Sequence, residues 1–212
     1  MKTYTICLVG LSSRQAVVVG GGTVAARKVE GLLAAEAQVT VISPALVPEL
    51  QALVEAGKAR HIGREFREGD LEGAFLAIAA TDDPLVNRAV WAEAQQGGCL
   101  VNVVDDPAHS SFIMPAILKR GEIQIAVSTG GSSPALARRL RERLEGMIGP
   151  EYGALAEIMA ELRPELIAGF PPGKPRLEAA LRVVDSDILR VVQLHGKDAA
   201  LTYARKQLHP RS

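Results

Sequence analysis

VVVGGGTVAARK, from Val17 to Lys28, joins a run of valines to a helical pattern through three consecutive glycines. The valines read as a buried strand. Beyond the glycines, Ala25, Val29, Leu32 and Leu33 recur at helical spacing on one face, while Arg27 and Lys28 fall on others. Gly20, Gly22 and Ala25 satisfy G-x-G-x-x-G/A where that pattern has a mechanism: a hydrophobic strand enters it and an amphipathic helix leaves it. Glycine permits the tight turn and lets a pyrophosphate approach the backbone. The helix start at Thr23 and Val24 offers amide hydrogens and partial positive charge. The stretch therefore predicts a dinucleotide site, with a glycine-rich corner that binds nothing as the competing reading.

AVVVG (16–20), QVTVIS (38–43), RHIGREF (60–66), AFLAIAAT (74–81) and CLVNVVD (99–105) alternate with helical patterns. That alternation predicts parallel βαβ units and an α/β fold of the Rossmann type. YTICLVG, ahead of Ser12 and Ser13, is expected to form a hairpin with the first strand. A helix is expected from Pro84 to the glycines at 97 and 98. After Asp105 the pattern changes. SFIMPAILKRGEIQIAVSTGG (111–131) reads as two strands around a turn at Arg120 and Gly121, and SSPALARRLRERLEGMI as a helix capped by Ser132 or Ser133, with Leu136, Leu140, Leu144 and Met147 turned inward. From Tyr152 onward only helices are expected, around the linker FPPGKP (170–175). Three regions follow: a nucleotide-binding fold over 1–114, a small strand-and-helix piece over 115–150 and a helical domain over 151–212.

The acid that usually meets the adenosine ribose about twenty residues beyond the glycines is missing; Ile42 and Ser43 stand there. Ser43 and the backbone through Pro44 and Ala45 are the remaining candidates for that contact. No Arg or Lys follows until Lys58, so a 2′-phosphate finds no cation and the pattern leans toward NAD. Acidic and basic residues balance at 24 each, so no global field draws nucleic acid or an anionic membrane. AFLAIAA is far too short to span a bilayer, and no targeting segment is evident. Cys7 and Cys99 make no C-x-x-C spacing, which suggests a reducing, cytoplasmic setting. The four histidines, His61, His109, His195 and His209, share no helical spacing, and no fixed metal cage can be read.

GGGTVAARK, LAIAATDDPLVN (76–87), NVVDDPAHSSFIMPA (102–116) and AVSTGGSSPALARRLRERLE (126–145) together resemble precorrin-2 dehydrogenase, the N-terminal module of siroheme synthase. The resemblance implies oxidation of precorrin-2 to sirohydrochlorin with NAD, followed in some relatives by insertion of ferrous iron as a second substrate. It also implies a homodimer interlocked through the 115–150 region. The acid directly after NVV, here Asp105, is implied as the catalytic one. Position supports it: on a doubly wound reading Asp105 lies at the carboxyl edge of a strand, where such sheets build their sites. A turn role is the alternative, which suits Asp106 better. Thr81 and Asp82 end the preceding strand and read either as cofactor-edge residues or as a cap before Pro84. Ser128, Thr129 and Gly130, leading into a helix that carries Arg138, form a plausible receptor for the polycarboxylate substrate, although arginines on such a face are often only solvated. A different class of function, an NAD-sensing module with a helical interaction tail, would need the glycine turn but not Asp105.

Overall fold

The computed structural model describes residues 3–209 and divides into two compact units, one up to Met114 and one from Pro115. In the first, β1 (Gln15–Val19), α1 (Thr23–Leu33), β2 (Gln38–Ile42), α2 (Pro48–Glu55), β3 (Ala59–Ile62), β4 (Leu76–Ala79), α3 (Pro84–Gly97) and β5 (Leu100–Val103) follow in order. All five strands are parallel, arranged β3-β2-β1-β4-β5. The unbroken valine run of β1 is explained by burial on both faces. Val18 packs with Val29, Val41 and Leu50 on one side, whereas Val17 and Val19 pack with Ala77, Val90 and Val101 on the other. α3 stops where Gly98 takes a left-handed conformation, and its Asp83 cap accepts a hydrogen bond from the Leu85 amide at 2.8 Å.

The strand–helix alternation fails between β3 and β4, where turns replace the expected helix. Arg64 closes this connection by gripping Asp70 through two hydrogen bonds of 2.7 Å. Across the sheet, the open edge of β5 is covered by the segment that follows it. The Ser111 amide bonds the Val101 carbonyl, the Ser110 and Ser111 hydroxyls accept the Val103 and Val101 amides, and the buried Asn102 donates to the Phe112 carbonyl at 3.0 Å. These serines stand in for a sixth strand.

The expected hairpin before β1 does not form. Residues 3–10 have no regular structure, and Tyr4 and Val9 are exposed. Both neighbours of β1 in the sheet are already β2 and β4, so no edge of it is free.

The second unit holds an antiparallel ribbon, β6 (Ala116–Arg120) and β7 (Ile123–Val127), with its turn after Arg120 as the sequence predicts. α4 (Pro134–Met147), capped by Ser133, packs on it. α5 (Glu151–Gly169), α6 (Lys174–Val184) and α7 (Ile188–Leu208) enclose a separate apolar core around Ile158, Leu162, Val183, Ile188 and Leu208. Pro171 and Pro172 sit in the connection between helices, while Pro175 takes the first turn of α6, where its missing N–H costs nothing. α7 breaks at Gly196, whose φ of 77° and ψ of 178° are accessible essentially to glycine alone. One expectation about α4 is overturned. Leu136, Leu140 and Met147 do not turn inward; they are exposed, Leu144 is only half-buried, and the buried residue is Ala137. Apolar spacing reveals an apolar face, but not whether the same chain covers it.

Candidate active site

In a β3-β2-β1-β4-β5 sheet the strand order reverses between β1 and β4, and the crevice at their carboxyl ends is where such folds bind ligands. The glycine turn lies there, and its three glycines serve three purposes. Gly20 has φ 126°, and a Cβ on it would run into the Ala80 carbonyl at the end of β4. Gly21 is packed against the loop after β2, where a Cβ would strike the Ala45 carbonyl and lie 2.6 Å from the Ser43 hydroxyl. Gly22 is under no such demand: its φ is −85° and a Cβ would meet nothing within 4 Å. The fold therefore needs glycine at 20 and 21, while the space above Gly22 fits a ligand that approaches the backbone.

That space faces open donors. Gly22 caps α1 without any side-chain hydrogen bond, no acid occupies the first turn, and the first-turn amides of Thr23 and Val24 have no intrahelical partner. α3 and α4, by contrast, are closed by Asp83 and Ser133. An uncapped N-terminus beneath an open glycine suits a pyrophosphate. Beyond Gly21, the buried Ser43 donates its hydroxyl to the Ala45 carbonyl at 2.7 Å, bending the chain through Pro44, and the Val47 amide bonds the Gly21 carbonyl. The His61 Nε2 lies 2.9 Å from the Ser43 carbonyl. Ser43, Pro44 and Ala45 thus form the wall beside the glycine turn.

On the other side of β1, Thr81 is held by Asn87: its hydroxyl donates to the Asn87 side-chain oxygen at 2.8 Å, and the Asn87 amide donates to the Thr81 carbonyl at 3.0 Å. Asp82 is exposed, and the residue that caps α3 is its neighbour Asp83. Farther along the same edge the two adjacent acids part company. Asp106 caps the turn Pro107–His109 and lies 2.7 Å from the His109 Nδ1; that hydrogen bond holds its carboxyl below the ordinary value of 3.8. His109 in turn meets Trp91 edge to face. Asp105 is exposed, with φ 60°, a left-handed conformation uncommon for any residue but glycine. Among the described residues its carboxylate makes no hydrogen bond or ion pair. One acid builds the turn, and the other is presented by it.

In the second unit, the STGG loop closes on itself. The Ser128 hydroxyl accepts the Gly130 amide at 3.1 Å, and the Thr129 hydroxyl exchanges hydrogen bonds with the Ser133 backbone. Arg138 is exposed and paired with Glu142 at 3.0 Å. No group of three or more His, Cys, Asp or Glu that could hold a metal occurs among the described residues, and none of their helices is long and apolar enough to cross a membrane. Cys7 and Cys99 are free thiols; burial pushes Cys99 up to about 11. Gly21, Asn87 and the two serines at 110 and 111 were not singled out by sequence motifs. Gly21 is visible as the middle of three glycines, and Asn87, Ser110 and Ser111 lie inside the stretches that carry the resemblance.

Sheet order, glycine turn and uncapped α1 define a dinucleotide-binding protein of the Rossmann class. A family profile described as "Putative NAD(P)-binding" matches residues 7–116, and one described as "Sirohaem biosynthesis protein central" matches residues 120–147. The siroheme synthase of Methylobacillus flagellatus is 43% identical over 98% of this chain and 44% of its own length, and that of Chromobacterium violaceum 42% identical over 95% and 42%. The chain thus spans less than half the length of these curated relatives. Among solved structures, SirC, a precorrin-2 dehydrogenase, superimposes with a TM-score of 0.79 at 29% identity, covering 96% of this chain and all of that one. The chain belongs to the precorrin-2 dehydrogenase and siroheme synthase family of NAD(P)-binding proteins.

Proposed function

We propose that this chain oxidises precorrin-2 to sirohydrochlorin with NAD. The observation that carries the reading is Asp105, a carboxylate without a hydrogen-bond or ion-pair partner among the described residues, held in a left-handed conformation at the sheet edge that also carries the glycine turn. Dehydrogenation removes a hydride and a proton from the macrocycle, and NAD bound at the glycine turn supplies the hydride acceptor. Gly22, Thr23 and Val24 receive the pyrophosphate, Ser43 through Ala45 border the ribose, and Thr81 and Asp82 line the nicotinamide side. Asp105 accepts the proton at a carboxylate oxygen. Ser128, Thr129, Gly130 and Arg138 bind substrate carboxylates.

Ferrous iron insertion belongs to the same proposal as a second activity. The macrocycle's own nitrogens hold the metal, and Asp105 takes the two displaced protons one at a time and releases each to solvent, so no protein cage is needed. The protein acts as a cytoplasmic homodimer joined through residues 115–150, a reading supported by the exposed apolar face of α4.

The test is NADH formation on adding precorrin-2 anaerobically to the purified protein, with Asp105→Asn and Asp106→Ala alongside. Asparagine tolerates the left-handed backbone but accepts no proton, so turnover should fall about a hundredfold or more with NAD affinity retained. Asp106→Ala should lower thermal stability, because it removes the cap of the turn, and cost little activity. Parental turnover in Asp105→Asn would remove Asp105 from the chemistry.

A further inference from the structure

On α4, Arg138 and Arg139 pair with Glu142, and Arg141 with Glu142 and Glu145, whereas Arg143 forms no ion pair among the described residues; all four lie at the surface of one helix with acids beside them. Lys28 is arranged differently. It lies on α1, half-buried, and its Nζ donates to the Met114 sulfur at 3.3 Å. Among the described residues it forms no ion pair, and neither does its exposed neighbour Arg27. A thioether is a weak acceptor, so an ammonium with three donors is left poorly satisfied while partly removed from water. Burial first, and then Arg27, pull Lys28 below the ordinary 10.5, and the carboxylate of Asp105 acts against them.

The surroundings indicate what this cation is for. Met114 ends the segment that begins at Asp105 and returns along β5, so the Lys28 ammonium rests on the chain that presents the carboxylate. The open amides for a pyrophosphate lie at Thr23 and Val24, more than one helical turn earlier. A carboxylate that must stay ionised while a polycarboxylate approaches also faces like-charge repulsion, which a nearby cation offsets.

Building on the oxidation reading above, we propose that Lys28 is a substrate-binding residue whose ammonium receives one acetate or propionate carboxylate of the tetrapyrrole beside Asp105. That contact turns the macrocycle so that the carbon losing its proton faces Asp105.

Lys28→Met keeps an unbranched stem and removes the charge, Lys28→Gln is a second neutral variant, and Lys28→Arg restores a cation. Three quantities are compared with the parent: KM and kcat for precorrin-2, the dissociation constant of the product sirohydrochlorin followed by its absorbance, and that of NAD. Both neutral variants should weaken sirohydrochlorin binding and raise KM by about tenfold or more, the scale of a lost charge-assisted hydrogen bond. NAD binding should stay at the parental value, and Lys28→Arg should recover part of the loss. Parental sirohydrochlorin affinity in the neutral variants overturns the proposal, leaving Lys28 as a packing stem. A loss confined to NAD affinity also overturns it and assigns the lysine to the cofactor. Parental protein that binds sirohydrochlorin but forms no NADH defeats the oxidation reading instead, and the ratio of product affinities still decides Lys28.

Discussion

At the scale of single residues, three adjacent glycines illustrate how a motif divides its labour. Gly20 is fixed by its φ of 126° and the Ala80 carbonyl, and Gly21 by the Ala45 carbonyl. Gly22 is constrained by nothing inside the protein, which makes it the informative position for the cofactor. An aspartate there would find an ordinary φ of −85° and the N-cap of α1, where its carboxylate could accept the first-turn amides. Gly22→Asp should therefore fold with parental or slightly raised thermal stability while losing NAD affinity by tenfold or more, because side chain and charge occupy the pyrophosphate's place. Gly21→Ala should do the opposite at first order: overpacking against Ala45 costs about 1–3 kcal/mol of stability before any ligand is added. Thermal melts and NAD titrations of the two variants separate these outcomes. Equal NAD affinity in parent and Gly22→Asp would reject the nucleotide role of the turn.

Elements were legible in the sequence where their signals are local. The five strands of the sheet, the Pro84 start and glycine stop of α3, the turn after Arg120 and the Ser133 cap each depend on a few neighbouring residues. Misreadings came where the deciding partner is remote or absent. YTICLVG has the composition of a strand, but β1 already has two neighbours. Similarly, Asp105 and Asp106 look alike in sequence; a positive φ and a histidine three residues on give them different roles. The alternation of strands and helical patterns leads one to expect a helix between β3 and β4 as well, and nothing in RHIGREF announces that Arg64 will instead close a helix-free connection on Asp70. That pair has a measurable consequence. The Arg64 hydrogen bonds hold the Asp70 carboxyl below its ordinary 3.8, with burial opposing and the Arg67 amide assisting. A carboxyl lowered in the folded state stabilises it fully above the unfolded value, and the contribution is lost as pH falls through the lower, folded value. Asp70→Asn should lose about 1–3 kcal/mol at neutral pH. In urea unfolding the gap between parent and variant should narrow only below pH 3.8. A gap that is the same at neutral and acid pH would show that the loop depends on packing and not on the ion pair.

For the molecule as a whole, the exposed apolar face of the second unit is the feature that the chain alone leaves unexplained. A two-stranded ribbon is marginal by itself. Here α4 and the start of α5 pack on it, yet Leu136 and Met147 of α4 stand 51% and 73% exposed, and Ile117 of the ribbon is 42% exposed. Leu136, Leu140 and Met147 follow helical spacing, so they form a stripe, and the arginines and glutamates around it supply a polar rim. Apolar stripes of this kind are stable in water when a second copy covers them, and a two-fold axis would let each stripe meet its twin. On this account the residues contribute nothing to folding of the isolated chain and much to association. Leu136→Glu combined with Met147→Glu should leave the helical signal of the protein intact, because both side chains already face water. It should also place two like charges in the contact and convert a dimer to a monomer at micromolar concentration in sedimentation. If the parental protein sediments as a monomer, or if the double variant remains dimeric, the contact between copies does not run through α4, and residues 115–150 lose their proposed role in assembly.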